Sequence, residues 1–220
     1  MSVPKQPKIY HIVHIDRIPS ILAAGCLWCD AEIVRREPKG TTIGMNNIKQ
    51  RRLKVLKLAS HPGLHVGDCV PFYFCPRSIM LYLIHQGNHP DLEYRGGQDP
   101  IVHLEADFHA SVAWAAENNK RWAFTLSNAG ANYFEDRLDI VSLKEINWEA
   151  VGSERWGGQG VPSSIKEGKQ AEFLMEASFP WSLIERIGVL RPEYCAQLVN
   201  SLQAYSHRPP VEIKPTWYYG

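Results

Sequence analysis

Lys169-Gln170-Ala171-Glu172-Phe173-Leu174-Met175 is the stretch around which the chain is read. Phe173-Leu174-Met175 is an apolar run of strand length. It continues loosely through Ala177 and Phe179 until Pro180 stops it. A short apolar run bounded by turn-forming residues marks a buried strand. Glu172 stands at its mouth. Upstream lies a polar, glycine-rich loop, Trp156-Gly157-Gly158-Gln159-Gly160-Val161-Pro162-Ser163-Ser164. A strand fixes a carboxylate and a neighbouring loop can close over a bound molecule, so this junction suits chemistry. The plainer reading is a surface glutamate opening an edge strand, and the stretch alone does not separate the two.

Outward from there, 220 residues suffice for one sizeable core, and one domain over residues 1–220 is expected. No apolar run approaches the ~20 residues of a membrane span. The first residues, Ser2-Val-Pro-Lys-Gln-Pro-Lys8, lack an apolar signal core, which points to a cytoplasmic protein. Five cysteines, an odd and sparse set, fit a reducing compartment. The net charge of +1 announces no nucleic-acid partner. Its distribution says more. Pro38 to Gly67 contains no Asp or Glu but holds Lys39, Lys49, Arg51, Arg52, Lys54 and Lys57. Such a local cationic surface can bind phosphates, or can be an ordinary solvated face.

Ile9-Tyr10-His11-Ile12-Val13-His14-Ile15 reads as a strand, and Asp16 as the N-cap of a short helix closed by Gly25. Cys26-Leu27-Trp28-Cys29 has the spacing of a metal or redox pair but no second pair, so two ordinary thiols are expected. Residues 34–46 read as a long loop. A helix over 47–57 puts Ile48, Arg52 and Val55 on one side, so Arg52 points with the apolar stripe. A charge there needs a partner or a cavity. Val70 to Cys75 is an aromatic strand with Phe72 and Phe74 inward and Tyr73 on the other face. A helix over 79–85 follows, with Met80, Leu83 and Ile84 on one side. Strands at 100–104, 122–126, 187–190 and 211–214 and helices at 107–116, 143–148 and 193–205 complete the pattern. Their irregular alternation predicts an α+β fold. Walker, Rossmann, zincin and hydrolase-elbow motifs are absent from the sequence.

Four stretches together resemble the DarT family of DNA ADP-ribosyltransferase toxins: Tyr10-His-Ile-Val-His-Ile-Asp16, Ile48-Lys-Gln-Arg-Arg52, Val70 to Tyr82, and Lys169-Gln-Ala-Glu-Phe-Leu174. The terminal Trp217-Tyr-Tyr-Gly220 is similar too. The resemblance implies an ADP-ribosyltransferase fold, two packed curved β-sheets around an NAD cleft with flanking helices. It implies transfer of ADP-ribose from NAD to a base, thymine by preference, in single-stranded DNA, with release of nicotinamide. It implies a macrodomain antitoxin that removes the mark, and neither a metal nor a membrane partner.

Residue by residue, the resemblance makes Glu172 and Arg52 catalytic. His11, Ile12, Val13, Ser20, Leu27 and Arg52 become NAD contacts. Tyr73, Arg77, Ser78, Ile79, Met80, Leu81 and Tyr82 become the DNA-facing set. Where the family often has Asn-Leu after the aspartate, this chain has Arg17-Ile18. Residues 34–55 would cover the cofactor, and 153–171 would present Glu172 and help choose the base. A carboxylate near the ribose stabilises the positive charge that grows as nicotinamide leaves. Arg52 would either accept the base proton or, staying charged, bind pyrophosphate or the base anion; an arginine is a poor base in water. The competing functions are a protein ADP-ribosyltransferase or NAD glycohydrolase, a non-enzymatic single-stranded DNA-binding module, and a metal nuclease built on the histidines.

Overall fold

A computed structural model describes residues 2–220. In chain order the strands are β1 Lys8–His14, β2 Cys26–Trp28, β3 Cys69–Tyr73, β4 Ile101–Asp107, β5 Trp122–Thr125, β6 Asp136–Arg137, β7 Glu172–Glu176, β8 Ser178–Pro180, β9 Ile184–Val189 and β10 Val211–Ile213. The helices are α1 Ile18–Ala24, α2 Asp30–Arg36, α3 Asn46–Lys54, α4 Ile79–Gln86, α5 Phe108–Glu117, α6 Trp148–Gly152, α7 Ser163–Gly168 and α8 Pro192–Leu202. Eight strands run in the order β10-β9-β4-β1-β3-β7-β5-β6, and β2 pairs with β8 in a separate ribbon.

The eight-stranded order is two halves with a narrow join. β1 pairs with β4 along its whole length, and β3 pairs with β7 likewise. Between the halves, β1 and β3 meet only at Tyr10 and Tyr73. The sequence supplies a reason. Pro71 lies in β3, and its carbonyl takes the His11 Nδ1–H at 2.7 Å across the seam. A strand residue's N and C=O point the same way, so the position that lacks an N–H also faces the seam. The sheet is therefore two four-stranded halves joined at Tyr10 and Tyr73, in keeping with the expected α+β fold.

The main core lies under this frame. β7 is buried along Glu172 to Met175, and Phe173 sits among Phe72, Phe108 and Trp122. Burial of such rings is worth roughly 2–3 kcal/mol each. The chain's end fastens onto two neighbouring strands of one half, β4 and β9. The Tyr218 hydroxyl lies 2.7 Å from the Ile101 carbonyl and 3.1 Å from that of Gly188. Trp217 covers Gly188 so closely that a Cβ there would stand 2.4 Å from its ring.

Several local expectations are corrected. Asp16 sits in a 3-10 turn, not at a helix N-cap; α1 begins after Arg17 and ends at Gly25, φ 69°. Residues 30–36, partly expected as loop, form α2. Asp30 and Glu32 open it, Arg35 and Arg36 close it, and this order of charge suits the helix dipole. α3 stops at Lys54, which leaves Val55 65% exposed while Arg52 is buried. Cys26 and Cys29 are free and buried, and burial pushes both thiols up. Among the described residues no helix is long and apolar enough to cross a membrane.

Candidate active site

The seam opens into a cleft of about 240 Å³. Its floor comes from β1 and β3 (His11, Ile12, Val13, Pro71, Tyr73). α4 supplies Ile79, Met80 and Leu83. α2 and α3 supply Asp30, Ile33, Ile48, Lys49 and Arg52, and the covering segment supplies Thr41 to Met45. A side lobe of about 60 Å³ adds Ser20 and Leu27 beside His11 and Arg17. All six residues assigned to NAD thus converge on one cavity with its lobe. Ser20 donates its hydroxyl to the Arg17 carbonyl at 2.8 Å, so its side chain is already engaged.

β1 presents its seam edge at residues 11–13 because no strand pairs with it there. A carbonyl can only accept, so His11 donates from Nδ1 to Pro71. Burial lowers the histidine's pKa despite that bond. The neutral ring leaves Nε2 as an acceptor.

Glu172 is 2% exposed at the start of β7, directly opposite Tyr73. It is held from two sides. Arg52 Nη2 donates to Oε2 at 2.9 Å and Nη1 to Oε1 at 3.3 Å, while Ala129 N–H donates to Oε1 at 3.1 Å. Its own N–H is taken by Thr125 Oγ1 at 3.0 Å. Arg52 lines the cleft in front of this carboxylate. Burial opposes the Arg52 charge, but the Glu172 carboxylate outweighs it and raises the guanidinium's pKa. Tyr73 is half-buried in the same wall. Burial, reinforced by Glu172, raises its hydroxyl's pKa well above the usual value, so it remains a donor.

The seven residues assigned to DNA divide. Ile79, Tyr82 and Arg77 line a second groove of about 730 Å³, together with Trp156, Arg155, Lys166, His89 and Tyr219. Ile79 and Leu83 border both cavities, so the groove and the cleft share a wall. Tyr82 packs edge-on against Trp156 with centroids 4.9 Å apart, and Arg77 lies over the Tyr219 ring at 4.6 Å. The Tyr219 hydroxyl donates to the Arg77 carbonyl and accepts from Trp156 Nε1 at 3.1 Å. Met80 and Tyr73 face the cleft instead. Ser78 and Leu81 are corrected: both are fully buried, Ser78 capping α4 through the Leu81 N–H at 3.1 Å. Their side chains serve the helix, not a strand of DNA.

The cationic run 39–57 does not form one face. Successive helical residues point about 100° apart, so its members separate. Lys49 turns into the cleft and pairs with Asp30 at 3.2 Å, Arg51 bonds Asn132 at the surface, and Arg52 meets Glu172. Sequence reasoning missed Asp30, Asn128, Gln170, Trp156 and Tyr219. Trp156 in the glycine-rich loop, Gln170 in the Lys169–Leu174 stretch and Tyr219 in the terminal stretch carried a signal; Asp30 and Asn128 carried none. Among the described residues no group of His, Cys, Asp and Glu is placed to hold a metal ion.

Comparison with known structures fixes the class. Thermus sp. 2.9 DarT in complex with ADP-ribosylated ssDNA is similar at a TM-score of 0.88 and 34% identity, covering 100% of this chain and 99% of that one. The same Thermus protein in complex with NAD+ is similar at a TM-score of 0.82 and 33% identity, covering 99% and 100%. The fold is that of an ADP-ribosyltransferase. The family model DarT, described as ssDNA thymidine ADP-ribosyltransferase, matches residues 10–219. A DNA ADP-ribosyl transferase of Thermus sp. (strain 2.9) is 35% identical over 220 residues, 99% of each chain, and one of Escherichia coli O127:H6 is 30% identical, covering 98% of this chain and 95% of the relative. The chain belongs to the DarT family.

Proposed function

We propose that residues 1–220 act as one domain that transfers ADP-ribose from NAD to thymine in single-stranded DNA, with Glu172 and Arg52 as the catalytic pair. The observation that carries this reading is the Arg52–Glu172 fork buried behind the cleft, whose outer wall is shared with an aromatic, cationic groove. NAD supplies the reactive bond: nicotinamide leaves ribose C1′ with the bonding electrons, and thymine N3, once deprotonated, bonds to C1′.

The cleft's apolar walls (Ile33, Ile43, Met45, Ile48) suit the nicotinamide and ribose bodies, and its cations suit the one anionic part of the dinucleotide. The unpaired edge of β1 at Ile12 and Val13 meets the nicotinamide amide. His11 Nε2 accepts a ribose hydroxyl. Glu172 stabilises the positive charge that grows on the ribose, in a site where low dielectric strengthens the interaction. Arg52 retains its proton beside that carboxylate, so its role is electrostatic: it faces the thymine anion and leaves the base proton to water at the cleft mouth. Tyr73 and Met80 line the base pocket. The flipped base enters past Ile79 and Leu83, and its neighbours stack in the groove against Trp156 and Tyr82. In the cell this chemistry makes a cytoplasmic toxin, paired with a macrodomain antitoxin that reverses the mark.

The test is mass spectrometry of thymine-containing oligonucleotides incubated with the protein and NAD. A mass increase of one ADP-ribose on a thymine is expected. Glu172→Gln keeps NAD binding and lowers transfer by about 10²-fold or more, the scale of losing a main electrostatic contribution. Near wild-type transfer by this variant would sink the assignment.

A further inference from the structure

Three Lys and Arg side chains line the cofactor cleft: Arg17, Lys49 and Arg52. Two are neutralised, Lys49 by Asp30 at 3.2 Å and Arg52 by Glu172 at 2.9 Å. Among the described residues Arg17 has no carboxylate partner. Its neighbour Asp16 is engaged elsewhere, pairing with His14 Nδ1 at 2.8 Å and accepting from the Thr41 N–H at 2.9 Å and the Thr41 hydroxyl at 2.6 Å. Arg17 itself donates from Nε to the Thr41 carbonyl at 2.9 Å and from Nη2 to Thr42 Oγ1 at 3.0 Å. Nη1 is shut off from solvent and bonded to nothing. Burial lowers the guanidinium's pKa, and Asp16 and Asp30 offset this only in part.

A half-buried guanidinium with neutral partners and an idle donor is costly unless an anion completes it. Arg17 borders both the cleft and its side lobe, where a dinucleotide would pass from one to the other. The segment that covers the cleft is laid directly on it: Gly40 has φ 130°, and a Cβ there would stand 2.4 Å from Arg17 Cγ. We propose that Arg17 is a pyrophosphate-binding residue of the cleft, and that its bonds to Thr41 and Thr42 seat the covering segment, residues 37–45, on bound NAD. The inference rests on the cleft being the NAD site. A guanidinium fork matches phosphate oxygens in geometry and charge.

The experiment measures calorimetric affinities for ADP-ribose and for adenosine, with melting temperatures, on the full chain and on Arg17→Gln and Arg17→Lys. Adenosine lacks the anion but keeps the ring and one ribose. Arg17→Gln is expected to weaken ADP-ribose by roughly 10- to 100-fold, the span of a charge-assisted bond, and to leave adenosine unchanged. Arg17→Lys keeps the charge without the fork, and is expected to fall between the two proteins; it also serves if the glutamine variant fails to fold. Equal losses for both ligands would overturn the proposal, since Arg17 would then act only as a seat for the loop. No loss for ADP-ribose would overturn it too. A wild-type chain that bound neither NAD nor ADP-ribose would instead defeat the cofactor reading, and the inference with it.

Discussion

Replacing Arg52 with alanine leaves the Glu172 carboxylate, 2% exposed, with the Ala129 N–H as its remaining close donor. Removing one partner of a buried ion pair costs about 3–5 kcal/mol. The lower end applies here, because the Arg52 side chain is 11% exposed at the cleft wall and water can fill the space it vacates. A loss of about 3 kcal/mol lowers the melting temperature of a chain this size by roughly 6–12 °C. Glu172→Gln in the same background removes the stranded charge and restores most of the stability. The four proteins of this cycle should show a coupling of about 2 kcal/mol or more in urea unfolding at pH 7.5. Arg51→Ala is the control. Its side chain reaches only Asn132, and a change within about 0.5 kcal/mol is expected. In activity, Arg52→Ala abolishes base modification while some nicotinamide release survives through Glu172. An Arg52→Ala protein as stable as wild type, with an additive cycle, would refute the claim that the pair is a buried, mutually neutralising unit.

Further expectations concern the groove and the core. Arg155→Glu with Lys166→Glu should reduce the slope of log affinity against log salt for single-stranded DNA by about 1.4, two phosphates at about 0.7 each; an unchanged slope would place the strand elsewhere. Trp156→Ala should weaken the same DNA by about tenfold through lost stacking, read in a fluorescence titration, with NAD affinity unmoved. His103 is fully buried among Trp217 and Tyr218, and burial lowers its pKa to about 4. The unfolded chain protonates this histidine near 6.5 and the folded chain does not. Stability should therefore be fully present above pH 6.5 and fall by roughly 3 kcal/mol on going down to pH 4. His103→Asn should flatten that part of the urea-midpoint profile; an equally steep profile in the variant would assign the slope to other groups.

The longer strands and most helices were legible because their signals are local; the short β2 and β6 were not expected. Phe173-Leu174-Met175 can be recognised as a buried strand, and Glu172 as its polar opening, from hydrophobic run length alone. Arg52 could be assigned inward from helix phase, although Val55, used to set that phase, proved exposed beyond the helix end. The residue identities at the family's motif positions pointed to the cofactor and the DNA. What the sequence determined by itself, then, was the inventory: where the longer strands lie, which carboxylate opens the buried one, which arginine sits on an apolar helix face, and which chemistry they can serve.

Tertiary structure decided how those parts meet. Glu172 and Arg52 are 120 residues apart; β7 pairs with β3 and α3 rests on Gly67 just ahead of β3, which together bring the guanidinium to the carboxylate. The cleft exists because β1 and β3 touch at one residue pair, a property of register that no single strand's composition contains. The groove gathers Tyr82 from α4, Trp156 from a loop and Tyr219 from the chain's end, three segments without a shared local pattern. Ser78 and Leu81 went the other way, since their motif promised DNA and packing gave them to the core. The physical reason is common to all of these cases. Local sequence sets which face of an element is apolar, whereas the partner that face meets depends on contacts between residues far apart in the chain.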